Sequence, residues 1–353
     1  MPSPLHIGFV SLWETCKAQW DDRARNSNRS ILTSQFGKII LSIGIPSLFL
    51  QILTGILLSF HYSPTSSPST NERGELKHIF KSERVIIDAE GDTLALPGDM
   101  IDRVAKKGEY VPTTSYISVV NIEQSSVLKT LRTIHSFNTH VLICSLLSFM
   151  LYTLFLIRSM QYVKGLWLVL TLLGVLLYAQ SWTGYVLPWD TYAATSHAIM
   201  QGIMRNGLGI DVNHSSDLIA RMFSLHAIIF PVFLCLMLIV LKNICGYSFL
   251  NLDTSISYIF LIAIPLLGIA CKDWVDVGPP ADALKQMSYP VEPIWLFQPL
   301  HGIINAFPLD LALTMLFTML FLAFYTPFIS SFRLRITIIS LIIVFMMTMG
   351  LYY

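Results

Sequence analysis

Apolar runs of twenty or more residues recur along this chain, separated by shorter polar stretches. The runs lie at about 38–62, 128–157, 163–187, 220–242, 254–272, 309–329 and 333–352. A helix needs about 20 residues to cross the hydrocarbon core of a bilayer. Lipid offers no partner for unpaired backbone groups, so these runs are predicted to be helices. The pattern therefore predicts an all-α, polytopic transmembrane bundle of about seven spans. Residues 1–37 form a polar, mixed-charge segment that does not read as a signal peptide. Residues 38–243 hold the first four spans, with a polar insertion at about 64–115, and residues 244–353 hold the remaining three. No internal repeat stands out, and the insertion suggests no function.

Basic residues in the short loops give the orientation. The segment before the first span carries Lys17, Arg23, Arg25, Arg29 and Lys38. The loops after the second, fourth and sixth spans carry Arg158 and Lys164, Lys242, and Arg333 and Arg335. These loops are placed on the negative side of the membrane. Composition agrees: of 353 residues, 54% are hydrophobic and 13% charged, about half the charge of a soluble domain. A net charge of +1 leaves no footprint for nucleic acid, and membrane lipid is the expected surrounding partner. The five cysteines include no Cys-x-x-Cys pair, which argues against a covalently attached c-type haem and a zinc ribbon.

Ionisable residues within membrane spans are costly and point to function. His135 lies about two turns into the second span from the positive side, and His226 about two turns into the fourth from the same side. Imidazoles at one depth on two helices can clamp a planar iron cofactor from both faces, giving a low-spin centre suited to electron transfer. Gly55 and Gly184 reach the same level on the first and third spans, where a residue without Cβ lets another body approach the backbone. Either glycine alone reads equally as a helix-packing residue. The four residues together predict a haem pocket inside the first four helices.

Gln51-Ile-Leu-Thr-Gly55, His61-Tyr62, Arg132-x-x-His135, Gly184-Tyr-Val-Leu-Pro-Trp189 and Arg221-x-x-x-x-His226 occur in this order. In these strings, spread over most of residues 35–330, the chain resembles cytochrome b of quinol–cytochrome c oxidoreductases. That resemblance implies two b haems stacked inside four helices. It assigns His135 and His226 as axial iron ligands of the positive-side haem. Gln51, Gly55 and Gly184 belong to its pocket, and Arg132 pairs with its propionates. It also implies a Rieske-type iron–sulfur protein and a c-type cytochrome as partners, a homodimer within a larger complex, and an energy-transducing membrane, either mitochondrial inner or bacterial cytoplasmic.

The chain departs from the family at the second haem. The ligands expected fourteen positions beyond His135 and His226 are Phe149 and Val240, and the companion glycines fourteen positions before Gly55 and Gly184 are Leu41 and Leu170. Fourteen helical residues span about 21 Å, so no neighbouring histidine substitutes. His140 reads as a polar residue facing the bundle. The inner half is therefore expected to be plugged by hydrocarbon, leaving one haem b. The family's negative-side quinone histidine corresponds to Cys245.

The family oxidises quinol on the positive side at a Pro-Glu-Trp-Tyr string, which is Pro293-Ile294-Trp295-Leu296 here. Glu292, one place earlier, is the candidate replacement for the missing glutamate. Trp295 and Tyr185 are the further quinol-site candidates, within an aromatic lining of Trp182, Pro188, Tyr192 and Phe297. Such aromatics also serve as interfacial anchors. Asp190, with Asp273, Asp276 and Glu292, suggests a proton exit. The expected function is electron transfer from quinol to a bis-histidine haem. The alternative is a scaffold subunit of a respiratory complex that retains a relict haem and turns over no quinol. A transporter is disfavoured by the lack of repeats and of interrupted helix pairs.

Overall fold

The computed structural model describes residues 34–81, 86–87, 93–95, 100–107, 110–156, 164–208, 218–245, 252–271, 277–281, 296–329 and 331–351. Glu292 and Trp295 lie outside these residues, as do Asp273, Asp276 and most of the polar N-terminal segment.

The first helix, α1, runs Gln35–Ser59 and is capped by Ser34, whose hydroxyl accepts from the Gly37 N–H at 3.1 Å. The insertion that follows holds two antiparallel hairpins, pairing β1 (Lys77–Lys81) with β4 (Met100–Val104) and β2 (Ile86–Ile87) with β3 (Thr93–Ala95). The helical reading thus holds for the membrane part, while the polar insertion contributes strand. A Thr113-capped helix, α2 (Thr114–Gln124), leads into α3 (Ser126–Leu156), and α4 (Lys164–Val186) returns. Helix α5 (Thr191–Leu208) connects to a continuous rod made of α6 (Leu218–Ser224), a π turn (Leu225–Ile229) and α7 (Phe230–Cys245). The chain ends with α8 (Thr254–Ala270), α9 (Gln298–Ala306), α10 (Leu309–Tyr325) and α11 (Phe332–Leu351).

Among the described residues, six helices are long and apolar enough to cross a membrane: Gln35–Ser59, Ser126–Leu154, Lys164–Val186, Leu218–Asn243, Leu309–Phe328 and Phe332–Leu351. The seventh expected span, α8, has 17 residues. With a rise of about 26 Å, it lies at the short end of the lengths that cross a hydrocarbon core. Phe49, Ile262, Leu266, Phe321 and Met347 point outward, whereas Ser42, Ser47, Thr54, Thr133, Asn138 and Thr153 are buried between helices. Small polar residues inside and large apolar ones outside are the distribution expected when lipid is the solvent.

Helices α1 and α3 form one closely packed pair, α4 and α7 another, and α3 against α4 joins them. Helix α8 covers α1 and α3, and Trp167 of α4 donates to the Ala323 carbonyl of α10 at 2.9 Å. At the inner end, Leu41, Phe149, Leu170, Leu234 and Leu241 belong to one buried cluster. Its packing leaves an apolar cavity of about 70 Å³, bordered by Gly44 and Ser145 among hydrocarbon side chains. Leu41, Phe149 and Leu170 meet there as hydrocarbon side chains around that void.

One expected plug residue is corrected. Val240 is 37% exposed and faces outward, whereas Leu241 is 3% exposed and faces the cluster. The π turn inserts an extra residue after His226, so the inward face falls one position later than a regular helix predicts.

Helices α9 and α11 meet at Gly302, where an ideal Cβ would stand 2.0 Å from the Met349 carbonyl oxygen. Gly302→Val is expected to destabilise the chain by about 3 kcal/mol, because backbone atoms on both sides must move apart. Thermal unfolding in detergent, followed by circular dichroism, checks this, and an unchanged midpoint would contradict the observed packing.

Candidate functional site: two histidines held by opposite helix pairs

His135 projects from α3 toward α1. Its Nδ1 lies 2.9 Å from Thr54 Oγ1, and that hydroxyl donates to the Leu50 carbonyl at 2.8 Å. With its own hydrogen committed, Thr54 accepts from His135 Nδ1–H. The other ring nitrogen, Nε2, therefore carries the lone pair, and it accepts from Gln51 Nε2 at 3.0 Å. The Gln51 amide is held in turn, donating to Thr139 at 2.8 Å and accepting from Asn138 Nδ2 at 2.8 Å.

His226 projects from the π turn toward α4. Its Nδ1–H donates to the Gln180 carbonyl at 2.9 Å, which again leaves the lone pair on Nε2. In the widened turn, the Phe230 N–H reaches back to the Leu225 carbonyl. The His226 carbonyl accepts instead from the Gln180 side chain at 2.7 Å. Gln180 thus holds His226 at two points, and its own Oε1 is buried without a hydrogen-bond partner among the described residues.

The two imidazoles face each other with ring centroids 6.2 Å apart and planes at 71°. Two imidazoles bound to one metal centre at about 2 Å per bond have centroids roughly 6 Å apart. Both rings present the same tautomer, with Nδ1–H anchored to a helix oxygen and the Nε2 lone pair available. That anchoring is the usual support of a ligating histidine. The donor set fits a bis-histidine haem, provided the Gln51 amide withdraws from His135. No group of three or more His, Cys, Asp or Glu side chains suited to a bare metal ion occurs among the described residues.

Both glycines sit at this level, but not as spacers beside an open slot. A Cβ at Gly55 would stand 3.1 Å from His135 Cε1, and one at Gly184 would stand 2.5 Å from His226 Cε1. Each glycine gives room to the imidazole opposite. Arg132 pairs with Glu123 at the end of α2, and Lys129 joins that carboxylate at 3.5 Å. Its guanidinium therefore already has an anion, in place of the propionates the family resemblance implies.

The fold resembles a solved structure. A chain of a hyperthermophilic respiratory complex III superposes with a TM-score of 0.61 at 13% identity, covering 89% of this chain and 82% of that one. No protein-family model and no curated protein matches the sequence. At this identity the likeness is one of fold.

Tyr185 adjoins Gly184 and lines a cleft at the C-terminal end of α4 with Trp182, Tyr192, Phe297 and His301. The Tyr185 and Phe297 rings lie 5.5 Å apart, and the Trp182 indole donates to Ser196 at 3.0 Å. The free space is about 40 Å³ and open on one side. His301 played no part in the sequence reading, because it lies on the short helix α9, outside every predicted span.

Asp190 is not a surface carboxylate. It is buried, caps α5 by accepting from the Ala193 N–H at 2.8 Å, and accepts from the Gly278 N–H at 2.9 Å. Burial raises its pKa, partly offset by those hydrogen bonds. It ties the turn after α4, where Trp189 has φ +51°, to the segment at 277–281; the other carboxylates of the expected proton exit, Asp273, Asp276 and Glu292, lie outside the described residues.

Gln180→Leu removes the donor to the His226 carbonyl and leaves that group unpaired within the membrane. The expected loss is about 1–3 kcal/mol. It is read as a lower unfolding midpoint in detergent, and Gln180→Glu in its protonated form should recover part of it. A midpoint unaffected by Gln180→Leu would show that the clamp is dispensable.

Proposed function

We propose that this chain is a cytochrome b-like subunit of a respiratory quinol–cytochrome c oxidoreductase, passing electrons from quinol at a positive-side site to one bis-histidine b haem. The observation that carries the reading is the pair of opposed imidazoles, 6.2 Å apart, each with Nδ1 anchored and Nε2 carrying its lone pair. The fold likeness to a chain of a respiratory complex III supports it.

His135 and His226 would be the axial ligands. Held between them, haem b supplies a low-spin one-electron centre without an open position for oxygen. Thr54 and the Gln180 carbonyl orient the two rings. Gln51 would move from Nε2 of His135 to the edge of the site, still tethered by Asn138. Arg132, shared with Glu123, is the nearest charge able to meet a propionate. Gly55 and Gly184 keep the first and third spans close to the ligands.

The cleft at Tyr185 and Phe297 would receive the quinol ring once the aromatic side chains part, and Trp295 and Glu292 would complete it. Trp182 and the surrounding apolar residues exclude water from the ring. A Rieske-type iron–sulfur protein and a c-type cytochrome would be the partners, in a dimeric complex of a mitochondrial inner or bacterial cytoplasmic membrane. With hydrocarbon at the level of Leu41, Phe149 and Leu170, a second haem has no site and a complete quinone cycle has no inner relay within this chain.

A second reading, a scaffold subunit without quinol turnover, is favoured by one feature: the Gln51 amide already occupies the His135 lone pair. The haem-to-protein ratio of the purified chain separates the two. One haem per chain is expected, with a b-type spectrum that a quinol analogue reduces. His135→Ala or His226→Ala should abolish that absorbance altogether. Half the signal surviving either substitution would mean a second site, and no haem in the unaltered protein would end the proposal.

A further inference from the structure

We propose that His301 is a proton acceptor for quinol in the positive-side cleft, a role no motif in the chain assigns to it. This rests on the reading of that cleft as a quinol site. His301 lines it from α9, opposite Tyr185 and Trp182 of α4 and Tyr192 and Ser196 of α5. Among the described residues, the other polar groups around the cleft are hydroxyls, an indole N–H and phenols, which give hydrogen bonds readily but are poor bases near neutral pH. An imidazole is the side chain whose lone pair takes and releases a proton there. A site that removes hydrogens from a quinol ring needs such a group, and the family's glutamate position holds Ile294 in this chain.

The ring is positioned for the task. The Asn305 side-chain amide, one turn further along α9, lies 3.1 Å from Nδ1 and fixes the plane of the imidazole. Desolvation lowers its pKa below the ordinary histidine value, so the ring is neutral and basic at neutral pH. Tyr185 and Tyr192 are the titratable groups that share the cleft among the described residues. Helix α11 meets α9 at Met349 and Gly350, and its arginines lie fourteen or more residues away, about 21 Å along the helix. The charged residue of α10 is Asp310, in its first turn.

The step is a simple proton transfer. The quinol O–H bond breaks, its electron pair stays on oxygen, and a new N–H bond forms on the imidazole. The products are a quinol monoanion and an imidazolium. No oxidant takes part, and the anion is the more easily oxidised form for the electron transfer that follows. The half-exposed ring can then release its proton toward the positive side.

The test uses the full chain with its haem in detergent. Binding is read from the quenching of tryptophan fluorescence by a hydroxynaphthoquinone with a short alkyl tail, a probe that is anionic across the range studied. Affinity for the unaltered protein should rise as pH falls through the His301 pKa, because an imidazolium attracts the anion. In His301→Gln that rise should disappear while binding above the transition stays the same. When a short-chain quinol reduces the haem, followed by stopped-flow absorbance, His301→Gln should lower the limiting reduction rate about 100-fold with little change in the quinol concentration at half-saturation, and should remove the acid limb of its pH profile. His301→Glu should restore part of the rate, with the limb moved to lower pH. If His301→Gln keeps both the rate and the acid limb while the unaltered protein oxidises quinol, the role of His301 is wrong and the quinol site stands. If the unaltered protein neither binds the probe nor oxidises quinol, both readings fall together.

Discussion

A backbone carbonyl that loses its helical partner inside a membrane must find another donor, because lipid supplies none. At His226 that donor is the Gln180 side chain, and the site depends on this exchange. The π turn widens the rod and puts His226 on the face toward α4. Widening displaces the regular hydrogen bonds, and Gln180 takes up the His226 carbonyl while its own carbonyl fixes the ring through Nδ1. Position, tautomer and backbone satisfaction thus come from one residue pair. On the α1–α3 side the same result is spread over Thr54, Gln51, Asn138 and Thr139. Two differently built supports thus hold two imidazoles of the same tautomer with ring centroids 6.2 Å apart.

Much of this arrangement was legible in the chain itself. The level shared by His135, His226, Gly55 and Gly184 follows from residue counting along regular helices, and the structure brings these four together. Counting fails where the helix is not regular. Pro231, just after the π turn, gives no N–H to the helical ladder, but residue counting took the rod as regular, so the inward position fourteen residues beyond His226 was read as Val240, while Leu241 occupies it. The glycines were expected beside a slot and instead stand against the imidazoles, because spacing gives depth but not which neighbour fills the space. Asp190 looked like a surface group by its place in a loop. Only the chain fold shows that it caps α5 and meets the Gly278 N–H. His301 and Gln180 were missed for a common reason: neither is unusual in sequence, and each gains meaning from a partner more than 40 residues away.

The count of spans shows the limit of hydropathy. The run at 254–272 is as apolar as its neighbours, yet α8 is capped at Asp253 and ends at Ala270. Pro265 within it and Gly268 against Ile134 of α3 show a helix shaped by packing, since a Cβ at Gly268 would stand 3.1 Å from the Ile134 backbone. Length in the membrane is here subordinate to contact with the α1–α3 pair.

The two ends of the first four spans have opposite dielectric character, and this bears on where charge can go. The outer end holds the histidines, the Gln51 network, the Arg132–Glu123 pair and the Tyr185 cleft. The inner end, around Leu41, Phe149, Leu170 and Leu241, is hydrocarbon with an apolar void bordered by one hydroxyl. An ion placed there would lose several kcal/mol of solvation with nothing to replace it. On the proposed reading, the protons and electrons taken from quinol at the outer end have no relay inward through this bundle. The electrons leave sideways, to a partner docked at the positive-side surface or to another chain of the complex, and the protons leave at the outer face. The asymmetry of side chains is therefore a statement about direction: such a subunit can oxidise at one face, but it cannot by itself carry charge across.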